Sequence, residues 1–134
     1  MHLLLSVRPL WRIQRATLLS WLEQMPNKIG MQRISPAIVE KKGPLLMGIV
    51  LLAESHIAVH LDFRARWGTV DIFACKSFPA EQAIKETERG LKVQVVDQKI
   101  LPRGLEHLPN ADTGFAQPVQ RTVVSTGTAE DAQQ

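Results

Sequence analysis

Several residue types are scarce in this 134-residue sequence, and each shortage narrows what the chain can do. The single cysteine, Cys75, cannot form an internal disulfide, so it is either a small buried apolar residue or a chemical group in a reducing compartment. Tyrosine is absent and the basic residues are not interleaved with aromatic ones, so we expect no nucleic-acid partner. No apolar run approaches the roughly 20 residues that span a bilayer, and the N-terminal leucines lack a signal-peptide pattern. We therefore expect a cytoplasmic protein with no membrane contact.

The residues that are present predict one globular domain and a tail. An apolar content of 45% with 22% charged residues is typical of a chain that buries its own core. From Pro102 onward the hydrophobic periodicity fails, and almost no large apolar residue follows Phe115. We predict a domain over residues 1–104 and a flexible tail over 105–134, because the tail has too little apolar surface to offset its ordering entropy.

Hydrophobic periodicity within the domain predicts a βαββββαβ order. The predicted elements are a strand at 2–7, a helix from about 10 to 24, strands at 30–40, 47–53, 56–61 and 69–75, a helix at 79–89, and a strand at 91–100. Pro26 is expected to stop the first helix and Gly90 the second, and Trp11 and Trp21 are expected in the core between helix and sheet. This pattern predicts a two-layer α/β (α+β) sandwich, in which two helices cover one face of an antiparallel β-sheet.

Chemically capable residues are concentrated between Met47 and Cys75. A Glu54-Ser55-His56 tripeptide lies between apolar runs, and His60, Asp71 and Cys75 follow it. If the two strands in this region pair about a turn centred on Ala65, Cys75 lies opposite Ser55. Two histidines four residues apart on a strand are about 13 Å apart, so His56 and His60 cannot share one ion and we expect no metal site.

At these residues the sequence resembles the small prokaryotic S-adenosylmethionine decarboxylase proenzymes. The resemblance rests on AESHIAVH and VDIFAC, with a histidine five residues after the serine and a cysteine twenty residues after it, and it covers about residues 1–104. It implies that the chain cleaves itself between Glu54 and Ser55, and that residue 55 becomes a pyruvoyl cofactor. The ketone would form a Schiff base with the amine of a small amino-acid-type substrate and accept electrons as carbon dioxide leaves.

The same resemblance implies roles for two further residues and an assembly. The family's equivalent of His60 serves processing, and its equivalent of Cys75 donates a proton to the decarboxylated carbon. Family members dimerise sheet to sheet with substrate sites near the interface, so we expect a homodimer. His60 lies about 16 Å from Ser55 along a straight strand, so we expect a bend near Glu54 and Ser55 that brings His60 back.

Departures from the family pattern leave the function open. Met47 replaces a processing serine, Lys41 corresponds by spacing to a phenylalanine near the adenine, and Arg64 replaces the glutamate that would hold the ribose. The first hypothesis is a pyruvoyl-dependent decarboxylase of polyamine biosynthesis acting on a basic amino acid, ornithine or arginine. Asp62 would then bind the distal cation and Arg64 the carboxylate, with His56 as a third substrate-binding residue.

Two alternatives remain. One is a genuine S-adenosylmethionine decarboxylase whose pocket is rebuilt from other positions. The other is an unprocessed, non-catalytic paralogue that acts as a binding or regulatory subunit, and Met47 is its main support.

Overall fold

The predicted order of elements is confirmed. The computed structural model describes residues 1–53 and 55–103, so Glu54 and the predicted tail at 105–134 lie outside the described residues. The elements are β1 (His2–Pro9), α1 (Arg15–Lys28), β2 (Ile38–Lys42), β3 (Leu45–Leu51), β4 (Ser55–Asp62), β5 (Trp67–Ala74), α2 (Ala80–Leu91) and β6 (Val93–Leu101). Neither helix is long and apolar enough to cross a membrane, within the described residues.

The six strands form one antiparallel sheet in the order β2-β3-β4-β5-β1-β6. Alternate residues of each central strand are buried beneath the two helices, and they include Leu3, Leu5, Ile57, Val70 and Ile72. This is the predicted two-layer sandwich with both helices on one face. Strand β1 lies between β5 and β6 in this order, although it is far from both in sequence.

The other face of the sheet is covered by no element among the described residues, and we call it the open face. Because side chains alternate along a strand, it carries the residues that the helices do not bury. On the four central strands these are His2, Leu4, Ser6, Arg8, Leu45, Met47, Ile49, Leu51, His56, Ala58, His60, Asp62, Trp67, Thr69, Asp71 and Phe73. The open face thus holds most of the chemically capable residues together with exposed apolar ones.

The first helix begins and ends later than predicted. It starts at Arg15, because β1 continues to Pro9 and the Leu10 N–H still bonds to the Lys92 carbonyl at 2.9 Å. Pro26 lies inside the helix, whose end is marked by Gly30 with its positive φ of 75°. Trp11 is consequently 71% exposed, so the prediction that it lies in the core is wrong.

The remaining differences concern β2 and α2. Strand β2 covers only Ile38–Lys42, and the residues before it run irregularly past Pro36. Helix α2 runs through Gly90 to Leu91, so Gly90 does not end it. A side chain at Gly90 would place its Cβ 2.2 Å from Cδ1 of Trp21, and this close approach explains the glycine. Trp21 is buried as predicted, and its indole N–H donates to the Glu86 carbonyl at 3.1 Å.

Candidate active site

Ser55 is the first residue of β4, directly after the chain reverses. Strand β3 ends at Leu51, and the two strands pair from Leu51 opposite His56 down to Leu45 opposite Asp62. The Leu52 N–H closes the turn by donating to the Ser55 carbonyl at 2.9 Å. Ser55 is half-buried at this end of the sheet. The expected break near residues 54 and 55 is therefore a hairpin turn.

The side chain of Ser55 has a histidine within hydrogen-bonding distance. Its Oγ lies 3.2 Å from Nδ1 of His56, which follows it on β4. The His56 ring in turn meets the Phe73 ring edge-on, with 5.7 Å between the ring centroids. A neutral imidazole nitrogen at this distance can accept the hydroxyl proton. The sequence predicts His56 as a substrate-binding residue, and the structure places its ring beside the serine hydroxyl.

Cys75 lies next to the cross-strand partner of Ser55, not opposite it. Ser55 pairs with Ala74, so the predicted pairing with Cys75 is wrong by one residue. The error arises because four residues, 63–66, form the β4–β5 turn, whereas a turn centred on Ala65 would hold an odd number. Cys75 follows the end of β5, and it is a free, exposed cysteine.

His60 is not brought to Ser55 within one chain. The hairpin reverses the chain before Ser55, so both residues lie on β4 with His60 five positions further along. At about 3.3 Å per residue this is roughly 16 Å, so the expectation that a bend returns His60 to the serine is wrong. His60 instead pairs laterally with Met47 and Thr69, and its ring centroid lies 6.2 Å from that of Trp67.

Comparison with known proteins assigns the family. The family model described as S-adenosylmethionine decarboxylase matches residues 13–104, which is more than half of the chain. The chain belongs to the S-adenosylmethionine decarboxylase family. Its fold is similar to that of the adenosylmethionine decarboxylase from Aquifex aeolicus VF5, with a TM-score of 0.64 and 27% identity over 77% of this chain and 88% of that one.

A second relative is similar to this chain over part of its length. It is an S-adenosylmethionine decarboxylase proenzyme from Hydrogenobaculum sp. (strain Y04AAS1), which is 37% identical over 59 residues. The match covers 43% of this chain and 44% of that protein, so it spans less than half of the relative's length.

Two of the three predicted substrate-binding residues of this family member, Asp62 and Arg64, lie at or just past the far end of β4. Asp62 ends the strand, and its Oδ1 accepts hydrogen bonds from the backbone N–H groups of Arg64 and Ala65, both at 2.9 Å. These bonds fix the β4–β5 turn and leave the Arg64 side chain exposed. A cavity of about 390 Å³ adjoins this turn and is lined by Val7, Arg8, Ala65, Arg66, Trp67 and Val96.

Three residues that the sequence reasoning missed lie beside the serine end of the site. Phe73 pairs with His56 on one side and with His2 on the other. The Arg103 guanidinium carbon lies 4.2 Å from the centre of the Phe73 ring, and its Nη1 is 3.4 Å from Nδ1 of His2. The alternation of β5 could have placed Phe73 on this face, but only the sheet order brings His2 and Arg103 beside it.

The imidazole of His2 is electrostatically perturbed. Burial lowers its pKa, with smaller lowering contributions from Arg103 and His56, whereas the charge of Asp71 raises it. The net direction is downward, so His2 is held neutral near pH 7. Its Nε2 is buried without a hydrogen-bond partner among the described residues. No group of three or more histidine, cysteine or acidic residues arranged to hold a metal ion occurs in residues 1–53 and 55–103.

Proposed function

We propose that this chain is a pyruvoyl-dependent decarboxylase that cleaves itself between Glu54 and Ser55. The observation that carries the proposal is the 3.2 Å separation of Ser55 Oγ and His56 Nδ1 at the turn where β4 begins, in a member of this family. The imidazole accepts the hydroxyl proton as Oγ attacks the carbonyl of residue 54, which converts the peptide bond into an ester. Removal of the Cα proton of residue 55 then breaks its Cβ–Oγ bond and frees residue 54 as a carboxylate. Water replaces the nitrogen of residue 55, which leaves as ammonia.

The surroundings of residue 55 fit the resulting ketone. The site is half-buried on the strand end and flanked by His56 and the Phe73 ring, so water is partly excluded. When present, the pyruvoyl group supplies a carbonyl that takes up the substrate's amine and accepts electrons as carbon dioxide leaves. Cys75, one residue past the partner of Ser55, is proposed to donate the proton that replaces the carboxylate. A thiol can donate a proton and regain it from solvent. The reducing environment of the cytoplasm, our proposed compartment, would keep the thiol free.

We further propose that the chain acts as a homodimer joined through the open face. Ile49 is 39% and Leu51 48% exposed on this face, and a second copy would cover them. His60 lies too far along β4 to serve the Ser55 of its own chain, so it acts as the processing base at the partner's site, where it removes the Cα proton of residue 55 after His56 has accepted the hydroxyl proton. Two copies with their strands in opposite directions would meet this requirement at both sites.

For the substrate we propose a basic amino acid, ornithine or arginine. Arg64 stands where the family's glutamate would hold ribose hydroxyls, and a guanidinium offers only donors. Its charge also disfavours the sulfonium of S-adenosylmethionine. In a dimer the Asp62 end of β4 faces the partner's residue 55, where the second oxygen of Asp62 can bind the distal cation.

S-adenosylmethionine itself remains the second candidate, because the matched family and both named relatives carry that activity in their names. An unprocessed paralogue is the third, since Met47, which pairs with His60, cannot make the hydrogen bonds of a serine.

Intact-mass measurement of the purified chain tests the cleavage. We expect two fragments divided between residues 54 and 55, the second with a ketone in place of its α-amine. The Ser55→Ala variant should stay whole, and Ser6→Ala, a serine on β1, should be cleaved as the wild type is. A wild-type chain that stays whole at 15.0 kDa would exclude both enzyme hypotheses. Carbon dioxide release from ornithine, arginine and S-adenosylmethionine then separates the two decarboxylases.

A further inference from the structure

The serine end of the open face holds two side chains, His2 and Arg103, that the proposed reaction has not used. His2, Phe73 and His56 lie side by side on three neighbouring strands, and the Arg103 guanidinium lies over the Phe73 ring. Neighbouring strands are about 4.8 Å apart, so His2 on β1 lies about 10 Å from β4 across the sheet, and Arg103, over the Phe73 ring of β5, lies between them.

The contact between Arg103 and His2 determines which nitrogen of the neutral imidazole carries the proton. A guanidinium can only donate hydrogen bonds, so Nδ1 of His2 must be the acceptor in the 3.4 Å contact. The proton of the neutral ring is then on Nε2. This N–H is buried and has no partner among the described residues. Buried donors are nearly always paired in folded proteins, so an unpaired one next to a candidate site indicates a missing acceptor.

The charge of Arg103 also indicates a ligand that accepts hydrogen bonds. Its guanidinium is exposed and makes no ion pair with an acidic side chain in the described part of the chain. It is held by the Phe73 ring, and the Arg103 carbonyl accepts a hydrogen bond from the Met1 nitrogen, which fixes the backbone. Asp71 is the opposing charge near His2. A guanidinium is a planar fork of hydrogen-bond donors that suits a carboxylate group.

We propose that Arg103 binds the substrate's carboxylate at the Ser55 site and that His2 is its positioning residue. This inference rests on the proposed function, in which the substrate's amine is held at residue 55. The carboxylate of an α-amino acid is attached to the carbon that bears this amine, so it points into the neighbouring space over Phe73. Arg103 is the exposed group that the carboxylate meets first. Nδ1 of His2 faces Nη1 of Arg103 at 3.4 Å and helps to hold the guanidinium in this place.

A binding experiment tests this without any turnover. In the uncleavable full-length Ser55→Ala chain, two-bond ¹H–¹⁵N spectra should show His2 with its proton on Nε2. Titration with sodium propionate should shift the Nε2 signal to saturation, and propylammonium chloride at the same ionic strength should not. Arg103→Gln should weaken the propionate effect about tenfold, because charge-assisted hydrogen bonds are lost. Arg15→Gln, an exposed arginine on the helical side, should leave it unchanged. No propionate shift in the Ser55→Ala chain, or an equal loss in both variants, would overturn the proposal.

Kinetics of the cleaved enzyme separate recognition from a merely structural role. Arg103→Gln should raise the KM for the amino acid about tenfold with a smaller change in kcat, and Arg103→Lys should recover part of the loss. The inhibition constant of the decarboxylated amine product, which has no carboxylate, should change less than twofold. An equal loss of affinity for amine and amino acid would refute carboxylate recognition. Cleavage without a propionate effect contradicts this inference alone, whereas a propionate effect without cleavage contradicts the proposed function alone.

Discussion

The two ends of β4 carry different chemistry, although one eight-residue strand joins them. At its start Ser55 and His56 lie beside an aromatic ring and a guanidinium, as a reaction centre for an amino acid requires. At its other end the turn after Asp62 holds Arg64, where the family pattern has a glutamate. The ends are about 23 Å apart. The reaction and the recognition of the substrate's far end can therefore meet only if a second chain brings its own β4 alongside.

The largest expected effect is the rescue of cleavage in one chain by His60 of a second chain, which tests whether two copies of β4 form one site. His60→Ala alone should remain almost uncleaved, because the processing histidine is missing. When it is co-expressed with the uncleavable Ser55→Ala chain, His60 of that chain should restore cleavage of the His60→Ala chain. Intact masses of the mixed and separate proteins measure this. Full cleavage of His60→Ala alone would show that His56 suffices as the base and that no partner histidine is needed.

A glycine at the far end should matter next, through stability. A Cβ at Gly68 would lie 2.5 Å from the His60 carbonyl oxygen and 2.7 Å from Cδ2 of Leu61. We expect Gly68→Ala to lower the free energy of unfolding by about 1–3 kcal/mol, because the β4 backbone must move. Urea denaturation of the Ser55→Ala chain measures it, with Thr69→Ala as a smaller perturbation of the same strand. If Gly68→Ala unfolds with the same free energy as the parent chain, β4 and β5 do not approach each other so closely at this position.

Arg64→Glu should have a moderate effect on substrate choice. Exposed charge pairs contribute about 0.2–1 kcal/mol, so we expect the ratio of kcat/KM for S-adenosylmethionine over ornithine to rise by at most about fivefold. Cleavage between residues 54 and 55 should not change, since Arg64 is at the other end of the strand. Arg15→Glu, which changes the net charge by the same two units, is the control. An unaltered substrate ratio would exclude Arg64 from substrate recognition.

The smallest effect is on proton binding at the serine end. Because Asp71 raises the pKa of His2, Asp71→Asn should lower that already depressed pKa further. The folded state then favours the neutral form of His2 more strongly than the unfolded state does. The contribution of His2 to the free energy of unfolding is therefore fully present above its ordinary pKa of about 6.5, and it is lost as the pH falls through the depressed value. NMR titration of His2 measures the shift, and Asp97→Asn, on β6, should leave it nearly unchanged. A raised pKa in Asp71→Asn would contradict the assigned sign.

Much of the fold is encoded locally and could be predicted. The apolar alternation of β4 and β5 and the order of all eight elements depend on short-range patterns, and both agree with the structure. The start of α1 could not be predicted, because Leu10 continues the β1 pairing through a bond to Lys92, more than eighty residues away in sequence. The register at Ser55 was off by one residue because it depends on the number of turn residues, which no periodicity specifies.

The candidate site divides in the same way. Ser55 and His56 are neighbours in sequence, so their contact needs only local geometry. His2 and Arg103 come from opposite ends of the domain and meet because β1 lies between β5 and β6. That insertion is a long-range pairing, and no local pattern predicts it.

The position of Ser55 at a hairpin turn determines how the protein would behave after cleavage. Cutting the chain before Ser55 breaks the connection between β3 and β4 but none of the seven residue pairs that join them. The fragment before the cut contributes β1, which lies between β5 and β6 of the other fragment, so neither can leave without dismantling the sheet. The cleaved protein would therefore persist as an interlocked pair of peptides. Once unfolded, however, it could re-form only by a concentration-dependent encounter of two separate chains.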